Sequence, residues 1–205
     1  MARRKDQDAR RAQLADAARR AVVERGLDGL RLKDVADQAG VTSAAVLYYY
    51  ADGLDELVVE TYQQAIDRFC ERREAAAQKH ADARAQLRAC IDVGVATGPD
   101  DVLVRLLFEL VPRSLRDPQV SAMDDVLYER QEAVYQEVLA LGAEQGHFRL
   151  VDPVVELAGT FVAVEDGYQL EVLGGRRTRD QVIGRIRAYA RAVTGCELVA
   201  VGFDD

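Results

Sequence analysis

Apolar and small residues recur at spacings of three and four along most of the chain, which is the periodicity of helices that bury one face. The first such stretch runs from Asp8 to Arg25, and Gly26 follows it where helices commonly end. Its apolar and small positions share one face: Leu14, Ala17, Ala18, Ala21 and Val22. The pattern predicts an amphipathic first helix.

Two shorter stretches follow and complete a small unit. The segment "RLKDVADQA" repeats the helical spacing and stops at Gly40. Thr42 is then a suitable N-cap for a third helix, with Val41 placed to contact Val46. Three short helices, with a glycine between the second and third, outline a helix-turn-helix unit.

The third predicted helix ends in three consecutive tyrosines, which the helical period assigns to different faces. Val46 and Tyr50 point inward together with Val41, and Tyr49 lies on the flank. The outward face carries Ser43, Ala44, Leu47 and Tyr48. An exposed Leu-Tyr-Tyr surface beside small residues suits a helix in a DNA groove, since phenol hydroxyls bind phosphates and small residues approach base edges.

The rest of the chain predicts helices over about 54–79, 81–96, 99–113 (with Pro99 in the first turn), 118–145, 153–173 and 178–194. No strand pattern competes with them, and the final "TGCELVAVGFDD" has no clear assignment. We therefore expect an all-α protein. Residues 1–53 would form the helix-turn-helix DNA-binding domain and residues 54–205 a helical bundle for ligand binding and dimerisation.

The last two predicted helices carry apolar stripes suited to pairing with a second copy as a four-helix interface. The candidate dimer-interface residues are Leu157, Phe161, Val164, Tyr168, Val172, Val182, Ile186, Tyr189 and, one turn later, Val193. Gly159 and Gly167 would permit close approach. The alternative is that these stripes are buried only within the monomer.

Polar and aromatic residues on otherwise apolar faces of the C-terminal part are candidate ligand-binding residues. They are Tyr62, Cys90, Arg105, Phe108, Glu109, Tyr128, Tyr135 and Glu165. A pocket mixing tyrosine with glutamate suits a cationic or amphipathic molecule. Ordinary packing is the alternative for each of them.

Charge and composition limit the classes of function that the sequence can support. The net charge is −8, yet residues 1–50 carry ten basic and seven acidic residues, so a mildly basic head precedes an acidic body. No segment predicts a membrane span or signal peptide, which favours a cytoplasmic protein. Cys70, Cys90 and Cys196 form no metal-binding pattern, and no cofactor is expected.

The segment "ADAARRAVVERGLDGLRLKDVADQAGVTSAAVLYYYADGLDEL" resembles the N-terminal DNA-binding domain of the TetR family of bacterial repressors. The resemblance covers about residues 10–60. It implies that the third helix enters the major groove, while the starts of the second and fourth helices contact the DNA backbone. The expected DNA-binding residues are Arg31, Lys33, Thr42, Ser43, Ala44, Leu47, Tyr48 and Tyr49. The run "GHFRLVDPVVELAGTFVAVEDGYQLEVL" also resembles the C-terminal half of choline-responsive repressors in that family.

The departures from the family pattern concern positive charge. Family members often carry lysine at the positions of Ser43 and of Gly53 or Leu54, and tyrosine at that of Leu47. Arg31 stands where the second helix usually opens with Thr or Ser. The charge would have to come from the basic side chains outside the third helix: Arg31, Lys33, Arg3, Arg4, Lys5, Arg10 and Arg11.

The expected function is a ligand-responsive transcriptional repressor that binds a palindromic operator as a homodimer. An activator is one alternative, because its sequence would show the same features. A protein-interaction module using the tyrosine surface is a second alternative. A helical-bundle enzyme is a third, but the sequence shows no nucleophile–base spacing.

Overall fold

The computed structural model describes residues 2–198, with the side chains of residues 7 and 9–198. This part of the chain holds nine helices and no strand, so the all-α prediction is confirmed. The helices are α1 (Ala2–Arg25), α2 (Leu32–Ala39), α3 (Ser43–Tyr49), α4 (Leu54–Gln78), α5 (Ala83–Gly94), α6 (Val102–Ser114), α7 (Pro118–Glu144), α8 (Val154–Leu173) and α9 (Arg179–Thr194). None of the described helices is long and apolar enough to cross a membrane.

The turn between α2 and α3 follows from two residues. Gly40 ends α2 in the left-handed conformation (φ 68°), which glycine adopts without steric cost. Thr42 then caps α3, because its hydroxyl accepts the backbone N–H of Ala45 at 3.2 Å. Both boundaries agree with the sequence prediction.

Helix ends elsewhere differ from the predicted ones. The first helix begins at Ala2 rather than near Asp8. Pro99 lies before α6 rather than in its first turn, so that prediction was wrong. The intervening residues form a turn instead, in which the Asp101 carboxylate accepts the backbone N–H and the hydroxyl of Thr97, each at 2.9 Å. The last predicted stretch is described only to Leu198.

The chain forms two compact units. The first takes the chain up to Arg68 together with Val102–Asp124, and the second takes Phe69–Asp101 and the chain from Asp125 onward. Helices α4 and α7 contribute residues to both. These units group residues by proximity, so the functional boundary between residues 53 and 54 stays a prediction.

In the first unit α1 packs against α2 and α6. The five residues predicted for the buried face of α1 are all buried, and Val35, Val46, Tyr50 and Leu106 join the core.

In the second unit the ring of Phe161 stacks on Tyr135 at 4.8 Å and meets Tyr189 edge-on at 4.9 Å. Aromatic contacts of this kind fix how α7, α8 and α9 pack.

Gly142 on α7 is tightly enclosed, since a Cβ there would overlap the ring of Phe148. We expect Gly142→Ala to lower the free energy of unfolding by about 1–3 kcal/mol through overpacking. Urea denaturation followed by circular dichroism measures this change. In a Phe148→Leu background the same substitution should cost clearly less, and an equal cost in both backgrounds would contradict the assigned cause.

Candidate functional site

The outward surface of α3 is exposed, as its helical period indicates. Leu47 is 45% and Tyr48 68% exposed, while Tyr50 is fully buried. Ala44 is exposed, and Ser43 and Tyr49 are half-buried. The Tyr48 and Tyr49 rings meet edge-on with centroids 5.0 Å apart. The three tyrosines thus divide between surface, flank and core, and the contact of this face with DNA stays a prediction.

The start of α2 is organised by Asp34 rather than by an N-cap hydroxyl. The Asp34 carboxylate accepts the backbone N–H of Arg31 at 2.9 Å and pairs with the Arg31 guanidinium at 3.3 Å. Arg25 Nε lies 3.5 Å from the same carboxylate. Hydrogen bonding from Arg31 holds the pKa of Asp34 below its usual value. Arg31 is exposed but already has a carboxylate partner, and Lys33 is exposed in the first turn of α2.

Arg11 has a structural role that the sequence did not reveal. Its Nη1 donates to the backbone carbonyl of Tyr49 at 2.7 Å, and its Nη2 pairs with Glu60. The guanidinium lies 4.3 Å from the centroid of the Tyr50 ring. This guanidinium is engaged within the protein, and its contribution of charge to DNA stays a prediction.

The other basic residues that were predicted to supply charge to DNA lie nearer the N-terminus. Arg10 donates to Gln13 on the same helix at 2.7 Å. The side chains of Arg3, Arg4 and Lys5 lie outside the described residues.

The start of α4 is acidic where the family resemblance implies contact with the DNA backbone. Asp52 and Asp55 are exposed there, and Glu56 is half-buried. Arg113 pairs with Asp55 at 2.6 Å, and Arg11 lies 3.5 Å from Glu56. Carboxylates repel phosphates at short range, so this part of the head favours DNA less than a lysine would.

The structure brings together three of the eight candidate ligand-binding residues: Cys90, Tyr135 and Glu165, all buried in the second unit. Tyr62, Arg105, Phe108 and Glu109 belong to the first unit. The Tyr62 hydroxyl bonds the carboxylate of Asp124 there. Tyr128 is exposed and donates to Asp166 at 3.1 Å.

A buried charged cluster surrounds Glu165. One of its oxygens accepts the Tyr135 hydroxyl at 2.5 Å, and the other accepts Arg73 Nη2 at 2.7 Å. Arg73 and Glu165 are each only 1% exposed. The Arg73 guanidinium lies 5.1 Å from the Tyr135 ring and 5.4 Å from the Phe69 ring. Its Nε and Nη1 are buried without a hydrogen-bond partner.

The end of α5 closes around this cluster. A Cβ at Gly94 would overlap both Arg73 and Glu165, so the close approach requires glycine. The Gln169 side chain accepts the Ala96 N–H at 2.7 Å and donates to the Gly94 carbonyl at 2.6 Å. The last turn of α5 is thus held by side chains from α8.

Burial dominates the acid–base properties of the cluster. It raises the pKa of Glu165, against the lowering effect of Arg73 and of the Tyr135 hydroxyl. Burial also raises the pKa of the Cys90 thiol to about 12, which makes it an unreactive thiol. Because Glu165 is already paired with Arg73, the sequence-based suggestion of a cationic ligand held by Glu165 is not favoured.

Sequence reasoning missed Arg73, although a signal was present. The apolar stripe of α4 includes Ile66 and Phe69, and Arg73 stands one helical turn after Phe69 on that stripe. An arginine at a buried helical position requires a counter-charge, and Glu165 supplies it from 92 positions away in the sequence.

Six of the predicted dimer-interface residues are buried inside the subunit: Leu157, Phe161, Val172, Val182, Ile186 and Val193. Their assignment to an interface is corrected, because their side chains are covered by the subunit's own core. Val164, Tyr168 and Tyr189 are half-buried. The exposed faces of α8 and α9 instead carry small residues, namely Ala163, Gly167, Gly184, Ala188 and Ala192.

No group of three or more His, Cys, Asp or Glu side chains in the described residues is arranged to hold a metal ion.

Residues 14–61 match the family model described as "Bacterial regulatory proteins, tetR family". They span α2 and α3 with parts of α1 and α4. This part of the chain is therefore similar to the DNA-binding region of the TetR family.

Curated relatives from this family are regulators. The HTH-type transcriptional regulator BetI of Burkholderia cenocepacia is 33% identical over 124 residues, which is 57% of this chain and 61% of that protein. The HTH-type transcriptional repressor KstR2 of Rhodococcus jostii is 28% identical over 154 residues, or 75% of this chain and 74% of that one. The chain thus matches less than two thirds of the length of the BetI relative.

Solved structures share the fold. A TetR transcription regulator from Haloarcula marismortui superposes with a TM-score of 0.81 at 22% identity, covering 91% of this chain and 99% of that one. A regulator from Saccharomonospora viridis in complex with choline gives 0.79 at 22% identity, covering 88% and 95%. At these identities the likeness shows the fold. The proteins just named are regulators rather than enzymes, in agreement with the expectation of a non-enzyme.

We expect Glu165→Leu to lower the free energy of unfolding by about 3–5 kcal/mol, because it leaves the Arg73 charge buried without a partner. The double variant Arg73→Met, Glu165→Leu should recover most of that loss. Urea denaturation of the three proteins measures both effects. A double variant as unstable as the single one would show that the uncompensated charge is not the cause.

Proposed function

We propose that this protein is a transcriptional repressor of the TetR family that binds a palindromic operator as a homodimer and is released by a small-molecule effector. The observation that carries the proposal is the exposed face of α3, with Ala44, Leu47 and Tyr48 outward on a helix whose inner side is closed by Val46 and Tyr50. A helix placed after a helix-turn-helix turn presents such a face to the major groove.

The chemistry of this face indicates how it reads DNA. Leu47 and Ala44 suit contact with thymine methyl groups, and the Tyr48 hydroxyl suits a phosphate oxygen. Arg11 and Arg31 have carboxylate partners within the head. These two described cations are thus already paired, so we expect them to contribute less to phosphate contact and affinity per half-site to be modest. Binding of two heads to one operator would compensate for the modest affinity of each head.

The small exposed residues of α8 and α9 support dimerisation. Ala163 and Gly167 are four residues apart on α8, as are Ala188 and Ala192 on α9. Small residues at this spacing let the backbones of two helices approach closely. We assign the four-helix interface to these faces, opposite to the buried residues first predicted.

The buried cluster in the second unit is the proposed place of effector recognition. Arg73 keeps two unpartnered buried nitrogens, Nε and Nη1, near the Phe69 and Tyr135 rings, and buried donors need acceptors. An effector carrying a carboxylate or carbonyl oxygen would satisfy them better than a quaternary ammonium ion such as the choline of the S. viridis structure. The effector can act only by binding the released state more tightly than the DNA-bound state.

The same fold could instead present the tyrosine face to a protein partner, and the acidic start of α4 is the observation that favours this alternative. The two functions differ in their response to salt. DNA binding loses affinity steeply as salt rises, because counterions are released from the phosphates.

Gel-shift titration against the DNA upstream of the protein's own gene tests the proposal. We expect sequence-selective binding that weakens with salt, and Tyr48→Ala should cost about 1–3 kcal/mol of operator binding. Tyr128→Ala, which removes an exposed tyrosine from α7, is the matched control and should leave binding unchanged. Salt-insensitive or sequence-independent retention would refute the DNA-binding function, and equal loss in both variants would remove Tyr48 from the interface.

A second prediction concerns assembly. We expect Ala163→Arg to convert the dimer into a monomer, because a long charged side chain prevents close approach of the α8 helices. Light scattering after size-exclusion chromatography measures the mass. Ala143→Arg places the same side chain at an exposed position near the end of α7 and should leave the dimer intact. A monomeric native protein at micromolar concentration, or a dimeric Ala163→Arg variant, would contradict the assigned interface.

A further inference from the structure

We propose that Arg11 is a positioning residue for DNA recognition, which fixes the end of α3 to α4 and thereby sets the direction in which Tyr48 points. The proposal rests on the DNA-binding function proposed above. It gives the recognition helix a determinant of specificity that lies on α1, outside the DNA-facing residues.

The need for such a residue follows from the size of α3. This helix has seven residues, and Val46 is the only one of them that is buried. A helix anchored through one buried side chain can rotate and tilt unless its ends are fixed. Thr42 fixes the start through its cap, so the orientation of the far end depends on what holds Tyr49 and Tyr50.

Arg11 holds that end through two different groups. Its Nη1 donates at 2.7 Å to the Tyr49 carbonyl, one of the last carbonyl groups of a helix, which lack partners within it. Its guanidinium also covers the Tyr50 ring at 4.3 Å. The backbone and the anchoring ring at the end of α3 are therefore held by one side chain.

The second half of the contact lies on α4. Arg11 Nη2 pairs with the Glu60 carboxylate, and the Tyr50 hydroxyl donates to the other Glu60 oxygen at 3.1 Å. The same hydroxyl lies 3.4 Å from the Arg11 carbonyl. Arg11, Tyr50 and Glu60 thus form a closed network that joins α1, α3 and α4. A displacement of Glu60 along with α4 would be passed to the carbonyl of Tyr49, next to Tyr48.

This arrangement requires the shape of an arginine side chain. The planar guanidinium presents N–H groups in two directions at once, toward the Tyr49 carbonyl and toward Glu60. A lysine ammonium at the end of a flexible chain satisfies one of these acceptors well and loses the flat contact with the Tyr50 ring. Arg11→Lys is therefore expected to keep the charge but position α3 less well.

The experiment compares Arg11→Met with Arg20→Met. Both remove one arginine from α1, but Arg20 pairs with Asp16 within the same helix. Affinity is measured by fluorescence anisotropy for the operator and for a scrambled duplex of equal length, at a temperature where thermal melts show every variant folded.

We expect Arg11→Met to lower operator affinity by about tenfold or more, while affinity for the scrambled duplex falls no more than it does in Arg20→Met. Arg11→Lys should lie between the native protein and Arg11→Met. Glu60→Gln, which weakens the α4 side while keeping Arg11, should also reduce the ratio of operator to scrambled affinity.

Equal specificity ratios in Arg11→Met and Arg20→Met would overturn the positioning role, whatever the loss in melting temperature. If Arg11→Met does not fold, the ratios of Arg11→Lys and Glu60→Gln decide the question, and two native-like ratios overturn the proposal. A native protein that binds neither duplex refutes the DNA-binding function itself, which distinguishes that failure from a wrong assignment of Arg11.

Discussion

Burial of Tyr50 is the constraint on which the head depends. The ring is fully buried, and Glu60 accepts its hydroxyl while the Arg11 guanidinium covers its face. Burying a phenol requires a partner for its hydroxyl, and burial together with Glu60 raises the pKa of Tyr50 so that it stays neutral. With Tyr50 fixed inward, the helical period turns Tyr48 outward. The surface proposed for DNA thus exists because the residue two positions later is anchored.

Part of the positive charge of the head is used within the head itself. Arg11 joins three helices, and Arg31 pairs with the carboxylate that caps α2. This use lowers the attraction of the head for phosphates but increases its rigidity. A rigid, weakly charged face favours shape and apolar contact over non-specific attraction, because phosphate contacts carry little sequence information.

The ion pairs of the head are partly exposed, whereas the second unit contains a charge pair with almost no access to water. Arg73 and Glu165 are held between aromatic rings and the end of α5, where Gly94 leaves the space they need. A pair of this kind contributes little net stability, but removing one partner is costly because the other charge stays buried. The unpartnered Nε and Nη1 of Arg73 are the reason why effector recognition is proposed for this region.

The sequence alone predicted the helices, the glycine and threonine that bound the turn before α3, the faces of the three tyrosines and the resemblance of the first sixty residues to the TetR family. These features are encoded locally, within one or two helical turns. The sequence did not reveal the partners of Arg11 and Arg73, which lie 49 and 92 positions away. It also did not show which side of α8 and α9 is covered. The α8 segment carries apolar or small residues on both sides, and its periodicity does not distinguish a face buried in the subunit from one free for a second copy. Only tertiary packing decides this, because the side facing the aromatic core is the one that loses contact with water.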